Sequence, residues 1–509
     1  MSKQSTDPAW KDSLREFKGP PLTDDVTCDV CVVGAGIAGL TTAYLLAQEG
    51  MNVVVVDANA SPGGGETRFT TAHLSSAIDD RFAEVIRVRG KDAARLAYES
   101  HSAAIDRIGD ICRAAGIECG YRRVDGHLFP APGDVKTIED EYDAAMAIGC
   151  DVRRLERVPA AELGPGPCLQ FRNQGTFEPS RYTAGLWAAA ARKGVRFFGK
   201  TRARDVDGGS PVAVRTDRGG TVHAGAVVVA TNTPVHTRFA MHMKIAPYMT
   251  YAIAGPVPRG SVPDALFWDT ADPYHYIRLI SATEQPGLET ELLVVGGADH
   301  RAGQESDPVR RWDDLESWTR GRFPRFGEIW YQWSGMVMET LDGLAYIGVD
   351  PTGEENVYLA TGDSGMGMTH GTIAGILLTD LIRGRANPWA ELYSPSRLPI
   401  RAAGEYASEG ANTAAQYKDW FTGGDVKSVD EIKPGTGAVV RRGLTKLAVY
   451  RDDSGAVQIR SAVCPHLGCI VHWNRAERTW DCPCHGSRFR ATGEVIHGPS
   501  TADLARNDS

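Results

Sequence analysis

A layered α/β fold, interrupted by an inserted α+β domain and followed by a small separate C-terminal domain, is what this 509-residue sequence predicts. Three observations carry the prediction. Residues 26 to 57 run as strand, glycine-rich turn, helix, strand and terminal acid. Residues 224–234 and 342–382 read as later strands, the second leading into another glycine-rich turn and helix. Near the C-terminus, Cys464-Pro-His466 and Cys482-Pro-Cys484-His485 stand with fifteen residues between them, and each loop offers a Cys and a His.

The first element is an apolar run over 26–33, after which Gly34-Ala-Gly36-Ile-Ala-Gly39 opens the helical stretch LTTAYLLAQEG that ends at Gly50. A second apolar strand, NVVVVD, closes at Asp57. Alone, G-x-G-x-x-G is a weak signal; framed by strand, helix, strand and acid it is a dinucleotide-binding fingerprint. Gly34 permits the tight turn, Gly36 lets the backbone approach a pyrophosphate, and Gly39 allows close helix–strand packing. The helix N-terminus turns its unpaired N–H groups toward the phosphates, and Asp57 can accept from a ribose hydroxyl.

The C-terminal loops suit a 2Fe-2S cluster of mixed ligation, in which two thiolates hold one iron and two imidazoles the other. A structural zinc site is the alternative. Zinc fingers, however, usually pair two Cys on one knuckle and two His on the other, unlike loops that each mix the two.

The formal charge of −9 offers no basic stripe for nucleic acid. No run of eighteen apolar residues occurs, and MSKQSTDPAWKDSLREF carries neither an apolar core nor a twin Arg, so a cytoplasmic protein without a transmembrane segment is expected. Of the ten cysteines, Cys28, Cys31, Cys112, Cys119, Cys150 and Cys168 lie scattered without a disulfide framework. Cys28 and Cys31, three apart on a strand, point to opposite faces and read as core residues.

The loops CPHLGC and CPCHGS resemble the Rieske proteins of respiratory chains almost letter for letter. The resemblance implies an all-β domain over 427–509, with Cys464, His466, Cys482 and His485 as cluster ligands and a Cys469–Cys484 disulfide pinning the loops together. It also implies that Ser487 donates to a bridging sulfide. Phe489 stands where high-potential members carry a Tyr hydroxyl near a ligand sulfur.

AGAVVVATNTP (224–234), the stretch 342–382 and EPSRYTAGLWAAAARKGVRFF (178–198) together resemble the D-amino-acid oxidase and glycine oxidase superfamily. This implies FAD as the dinucleotide, with Gly362, Gly365, Gly367 and Met368 in the turn near the isoalloxazine. GGGETRFTTAHLSS (63–76), with Thr67, is similar to the segment that wraps the cofactor, although Arg68-Phe69 departs from the Gly-Arg of many relatives. His73 raises a covalent flavin linkage as an option beside a His that merely lines the pocket. As a whole the layout resembles bacterial fusions of a glycine/D-amino-acid-oxidase-like domain with a C-terminal Rieske domain.

The expected division gives the flavoprotein part 25–385, with FAD-binding pieces at about 25–80, 160–235 and 340–385. Substrate-domain pieces fall at about 81–159, mostly helical, and 236–339, an antiparallel sheet roofing the flavin. A linker covers 386–426, where periodicity fades and Pro appears. For the substrate, Arg278 is the first choice, because the superfamily stretch it resembles often grips a carboxylate with an Arg fork. Tyr251, His275, Tyr276 and His300, with His370, are weaker candidates, and no catalytic residue is assigned.

The resulting expectation is a flavin dehydrogenase that oxidises a C–N bond of an amine or amino acid and passes electrons through the cluster to a one-electron acceptor protein or quinone. The alternative is an electron carrier or redox sensor without an amine substrate of its own. A Rieske oxygenase would need a mononuclear iron on two His and a carboxylate, and His236 and His242, the nearest pair, are poorly spaced.

Overall fold

The computed structural model describes residues 6–11, 19–235, 241–281, 284–285, 287–398, 411–413 and 415–506. His236 lies outside the described residues. The first sheet runs in the order Tyr346–Val349, Val357–Thr361, Thr221–Asn232, Val26–Val33, Val53–Val56 and Arg196–Phe198, with Ala203–Asp207 and Val212–Thr216 as a side branch. Within that main path every neighbouring pair is parallel except Tyr346–Val349 with Val357–Thr361. Parallel strands covered on both faces need continuous apolar runs, and this is why VVVV and VTCDVCVV carry no alternation. Val30, Val32, Val53 and Val55 face a core shared with helices Ile37–Gln48 and Gly367–Ile382, whereas Cys31, Val33, Val54 and Val56 face a second core. Cys31 is fully buried and Cys28 half-buried.

The second sheet has the order Tyr331–Thr340, Ile245–Val257, Glu291–Arg301, His275–Ile280, Leu266–Asp269, Arg122–Phe129, Cys168–Thr176 and His73–Leu74, with Val152–Leu155 beside Cys168–Thr176. It is antiparallel apart from the Leu266–Asp269 and Arg122–Phe129 pair. Two pieces assigned from sequence to the dinucleotide part change sides: His73–Leu74 and Cys168–Thr176 hydrogen-bond within this second sheet. The chain returns to the first layer only through helix Pro179–Arg192, whose Glu178 cap accepts from the Ser180 and Arg181 amides. In the inserted segment, helix Lys91–Ala115 lies against helix Gly367–Ile382, and His101 Nδ1 bonds Thr369 Oγ1 at 2.8 Å. Cys112 and Cys119, unconnected in the sequence pattern, meet with sulfurs 3.6 Å apart, hydrogen-bonded and not joined as a disulfide.

Past helix Ala390–Tyr393 the connecting segment buries Arg397, whose guanidinium forks onto Asp342 at 2.8 and 2.9 Å over the Tyr346 ring. Further on, Tyr417 and Trp420 donate to the carbonyls of Leu467 and Gly468, so the connector braces the first Cys/His loop. The C-terminal domain is all-β. It holds two antiparallel sheets, Thr436–Arg442 with Thr445–Arg451 and Val457–Ser461, then His472–Asn474, Thr479–Asp481, Arg488–Arg490 and Val495–His497. Among the described residues no helix is long and apolar enough to cross a membrane.

Candidate active site

A cavity of about 290 Å³ lies between the two large sheets, with Gly34, Asp57 and Arg202 at one end and Tyr276, Asp299 and Glu339 at the other. At the first end Gly34 adopts φ +106°, and a Cβ there would meet the Ala230 carbonyl oxygen at 2.4 Å. A Cβ on Gly39 would stand 1.9 Å from the Gly34 carbonyl oxygen, so the helix can approach the strand only as glycine; this residue packs and does not line the cavity. The Ile37 amide, in the first turn of that helix, donates to Thr67 Oγ1 at 3.0 Å, which ties the wrapping segment to the helix N-terminus. Asp57 takes the Ala35 amide on Oδ2 at 2.6 Å and the Asn59 amide on Oδ1 at 2.6 Å. Oδ2 keeps a lone pair for a ribose hydroxyl. An open glycine cradle, a helix N-terminus and an elongated cleft fit a dinucleotide.

The other end is acidic and aromatic. The Tyr274 hydroxyl donates to Asp79 Oδ2 at 2.9 Å. Tyr276 and Thr250 hydroxyls lie 2.8 Å apart, and the Thr250 side chain works to hold the Asp299 carboxyl down. Burial, with the Asp80 charge added, pushes the Asp79 carboxyl up to about 7. Burial alone accounts for most of the rise of Asp299 to about 7, and it raises Glu339 well above the usual carboxylate range, helped by Asp80 and Asp79. His73 also lines the cavity, bonded to Thr71 Oγ1 at 3.1 Å, and burial plus the Arg278 charge lowers it to about 3, so it is neutral. Gly365, Gly367, Met368 and His370 line the cavity as the glycine-rich turn enters its helix, and burial lowers His370 to about 4. Gly362 does not: at φ +71° it shapes the turn against Thr340.

The substrate candidates divide by strand parity. Side chains alternate across a sheet, so Thr250, Tyr276 and Asp299 face the cavity while their neighbours Tyr251, His275 and His300 face away. Tyr251 bonds His300 Nε2 at 2.9 Å, and His275 holds Asp269 at 2.9 Å while stacking on Trp318. Arg278 shares Tyr276's face but is buried outside the cavity lining, on Glu284 and the carbonyls of Ala72 and Phe177. A guanidinium fixed this way braces the wrapping segment. The Arg278 expectation is therefore corrected, and the sequence reading missed Asp79, Asp299 and Glu339, which no motif marks.

In the C-terminal domain, Cys464 and Cys482 lie together, the His466 and His485 rings sit 5.1 Å apart, and Cys469–Cys484 is disulfide-bonded. The Cys464 thiol is lowered first by the Cys482 thiol, then by the His466 amide and the Ser487 hydroxyl. His485 Nδ1 is buried without a hydrogen-bond partner, as befits a metal ligand, and burial holds its imidazole neutral, down to about 4. The donor set and this orphaned nitrogen fit a two-thiolate, two-imidazole cluster. Ser487, fully buried, also accepts the Ser500 amide at 3.0 Å; Phe489, fully buried too, lies in the apolar cluster with Trp480 and the loop cysteines.

Part of the cluster tip packs against the second-sheet domain, while Pro465 stays exposed and His466 half-buried. His242, in the second-sheet domain, packs against both His466 and His485, with ring centroids 4.7 and 5.6 Å away. Gln304 donates to the Pro483 carbonyl at 3.2 Å, and Ser334 to Glu477 at 2.6 Å. Ile496, His497 and Gly498 line the cavity between the two large sheets. His497 Nδ1 pairs with Glu66 at 3.3 Å and its Nε2 meets Thr233 Oγ1 at 3.4 Å. Burial works to raise Glu66, but His497, Arg488 and the Met336 amide hold it below the usual range.

Residues 29–381 match the family described as FAD dependent oxidoreductase, and residues 423–507 match the Rieske [2Fe-2S] domain. YhfW of Bacillus subtilis, whose name describes a Rieske 2Fe-2S iron-sulfur protein, is 30% identical over all of this chain and 99% of its own length. Gamma-glutamylputrescine oxidoreductase of Escherichia coli is 27% identical over 72% of this chain and 86% of its own. In structure, glycine oxidase from Geobacillus kaustophilus superposes with a TM-score of 0.60 at 19% identity, covering 73% of this chain and 99% of that one. That likeness shows the fold of the flavoprotein part.

Proposed function

We propose, for a chain that belongs to the FAD dependent oxidoreductase family and carries a Rieske [2Fe-2S] domain, that it dehydrogenates the C–N bond of an amine or amino acid and sends the electrons through its own cluster to an external one-electron acceptor. The observation that carries this reading is the junction: Ile496–Gly498 of the cluster domain wall the flavin cavity while His242 of the flavoprotein part abuts both cluster imidazoles. Bound FAD supplies a two-electron hydride acceptor, and the cluster a one-electron carrier.

The chain's own residues prepare the reaction. The Thr67-tied helix N-terminus and the turn at Gly365 and Gly367 would hold the cofactor, and Tyr274 and Tyr276 floor the reacting end. An ammonium substrate must lose a proton before its C–H bond can give up a hydride, and Asp79 Oδ2 or Asp299 Oδ1, with carboxyls at about 7, can take it near neutral pH. Anaerobic mixing of the holoprotein with amines and amino acids tests the reading. Flavin bleaching by one of them followed by cluster reduction supports it; bleaching only by a reductase or ferredoxin contradicts it.

A further inference from the structure

Resting on the dehydrogenase reading, we infer that the substrate is a linear diamine or polyamine, with a second cationic centre and no free carboxylate. Three carboxyl side chains, Asp79, Asp299 and Glu339, line the reacting end of the cavity. Asp299 Oδ1 is buried there with no hydrogen-bond partner, an acceptor that a ligand N–H would satisfy. Among the described lining residues the one guanidinium is that of Arg202, at the Asp57 end. Arg278, the expected carboxylate fork, is held by Glu284 and two carbonyls. The Tyr274 and Tyr276 rings, with centroids 5.5 Å apart, add aromatic faces that favour a cation.

The charge balance decides the class. The carboxyls repel one another in a desolvated space, which is why burial and mutual charge raise them. One substrate nitrogen gives its proton to one carboxylate while a distal ammonium neutralises another. A substrate carboxylate would instead add a further negative charge, with no guanidinium or ammonium among the described lining residues of this end to meet it. Bound FAD would accept the hydride from the C–H bond beside the neutral nitrogen, and the cluster would pass the two electrons singly to the acceptor. Water hydrolyses the resulting iminium to an aldehyde and ammonium, or the released amine where the nitrogen is secondary.

The test uses the full-length holoprotein, with putrescine and spermidine set against glycine, D-alanine and L-proline. Anaerobic flavin bleaching and calorimetric binding are both read. Spermidine should bind and bleach, and Glu339→Gln and Asp299→Asn should each weaken its binding by roughly 10- to 100-fold, as for losing one hydrogen bond to a charged group, with FAD content unchanged. Bleaching by the amino acids with no polyamine binding overturns the inference and leaves the dehydrogenase reading standing. So does spermidine affinity that neither variant alters. Bleaching by none of the compounds contradicts the dehydrogenase reading, while calorimetry still decides the occupant.

Discussion

Replacing Ser487 with Ala should lower the cluster's reduction potential. The Ser487 side chain is fully buried, its hydroxyl helps to lower the Cys464 thiol, and it accepts the Ser500 amide, so the hydroxyl is held close to a ligand sulfur. Reduction adds negative charge to the cluster, and a donor already aimed at sulfur favours the more negative state. If that hydrogen bond strengthens by about 1 kcal/mol on reduction, its loss shifts a one-electron couple by roughly 40 mV downward. Phe489→Tyr works in the opposite sense, because it adds a hydroxyl among the loop cysteines and Trp480, at an overpacking cost of about 1–3 kcal/mol. Protein-film voltammetry, or an EPR-monitored redox titration, reads both variants. Unchanged potentials in folded, iron-replete Ser487→Ala would refute the role given to this hydroxyl.

Gly39→Ala should abolish FAD retention without unfolding the cluster domain, since its Cβ would stand 1.9 Å from the Gly34 carbonyl oxygen; flavin content per iron measures it. The raised carboxyls make pH dependence specific. With folded values near 7 against ordinary ones near 4, Asp79 and Asp299 contribute stability that is full at pH 4 and lost as pH rises through 7. Substrate-free thermal unfolding should therefore weaken over this range, less so in Asp299→Asn, while flavin reduction by substrate speeds up through pH 7. Arg278→Met should destabilise the fold by about 1.5–3 kcal/mol, because buried Glu284 loses one of its two guanidinium partners and keeps only Arg122, and it should leave substrate affinity intact. A loss of affinity without a loss of stability would restore the carboxylate-fork role.

What the sequence made legible is chemistry held by residues close along the chain. Gly34, Gly36, Gly39 and Asp57 fall within one strand–helix–strand unit, and the Cys464 and Cys482 loops each carry their ligands within a few positions. The reacting end is different, because its residues come from separate strands and parity decides which of two neighbours faces inward. Tyr251 and Thr250 differ by one position, and the register shift between Met249 and Tyr251 against the neighbouring strand cannot be read from composition. An Arg fork suits a carboxylate in general, but the burial of Arg278 on Glu284 depends on long-range packing that its sequence neighbours do not show. The junction at His242 and His497 was invisible for a similar reason: it joins surfaces hundreds of residues apart, and neither His belongs to a motif.

The central claim is that substrate electrons reach the cluster through the flavin within one chain, and anaerobic stopped-flow at several protein concentrations tests it most directly. Flavin and cluster absorbance are followed separately after mixing with a bleaching amine. Cluster reduction should trail flavin reduction at a rate independent of protein concentration, as expected for a cluster docked on its own flavoprotein part through His242 and His497. A cluster that stays oxidised beside fully reduced flavin, or a rate that scales with protein concentration, would contradict the account.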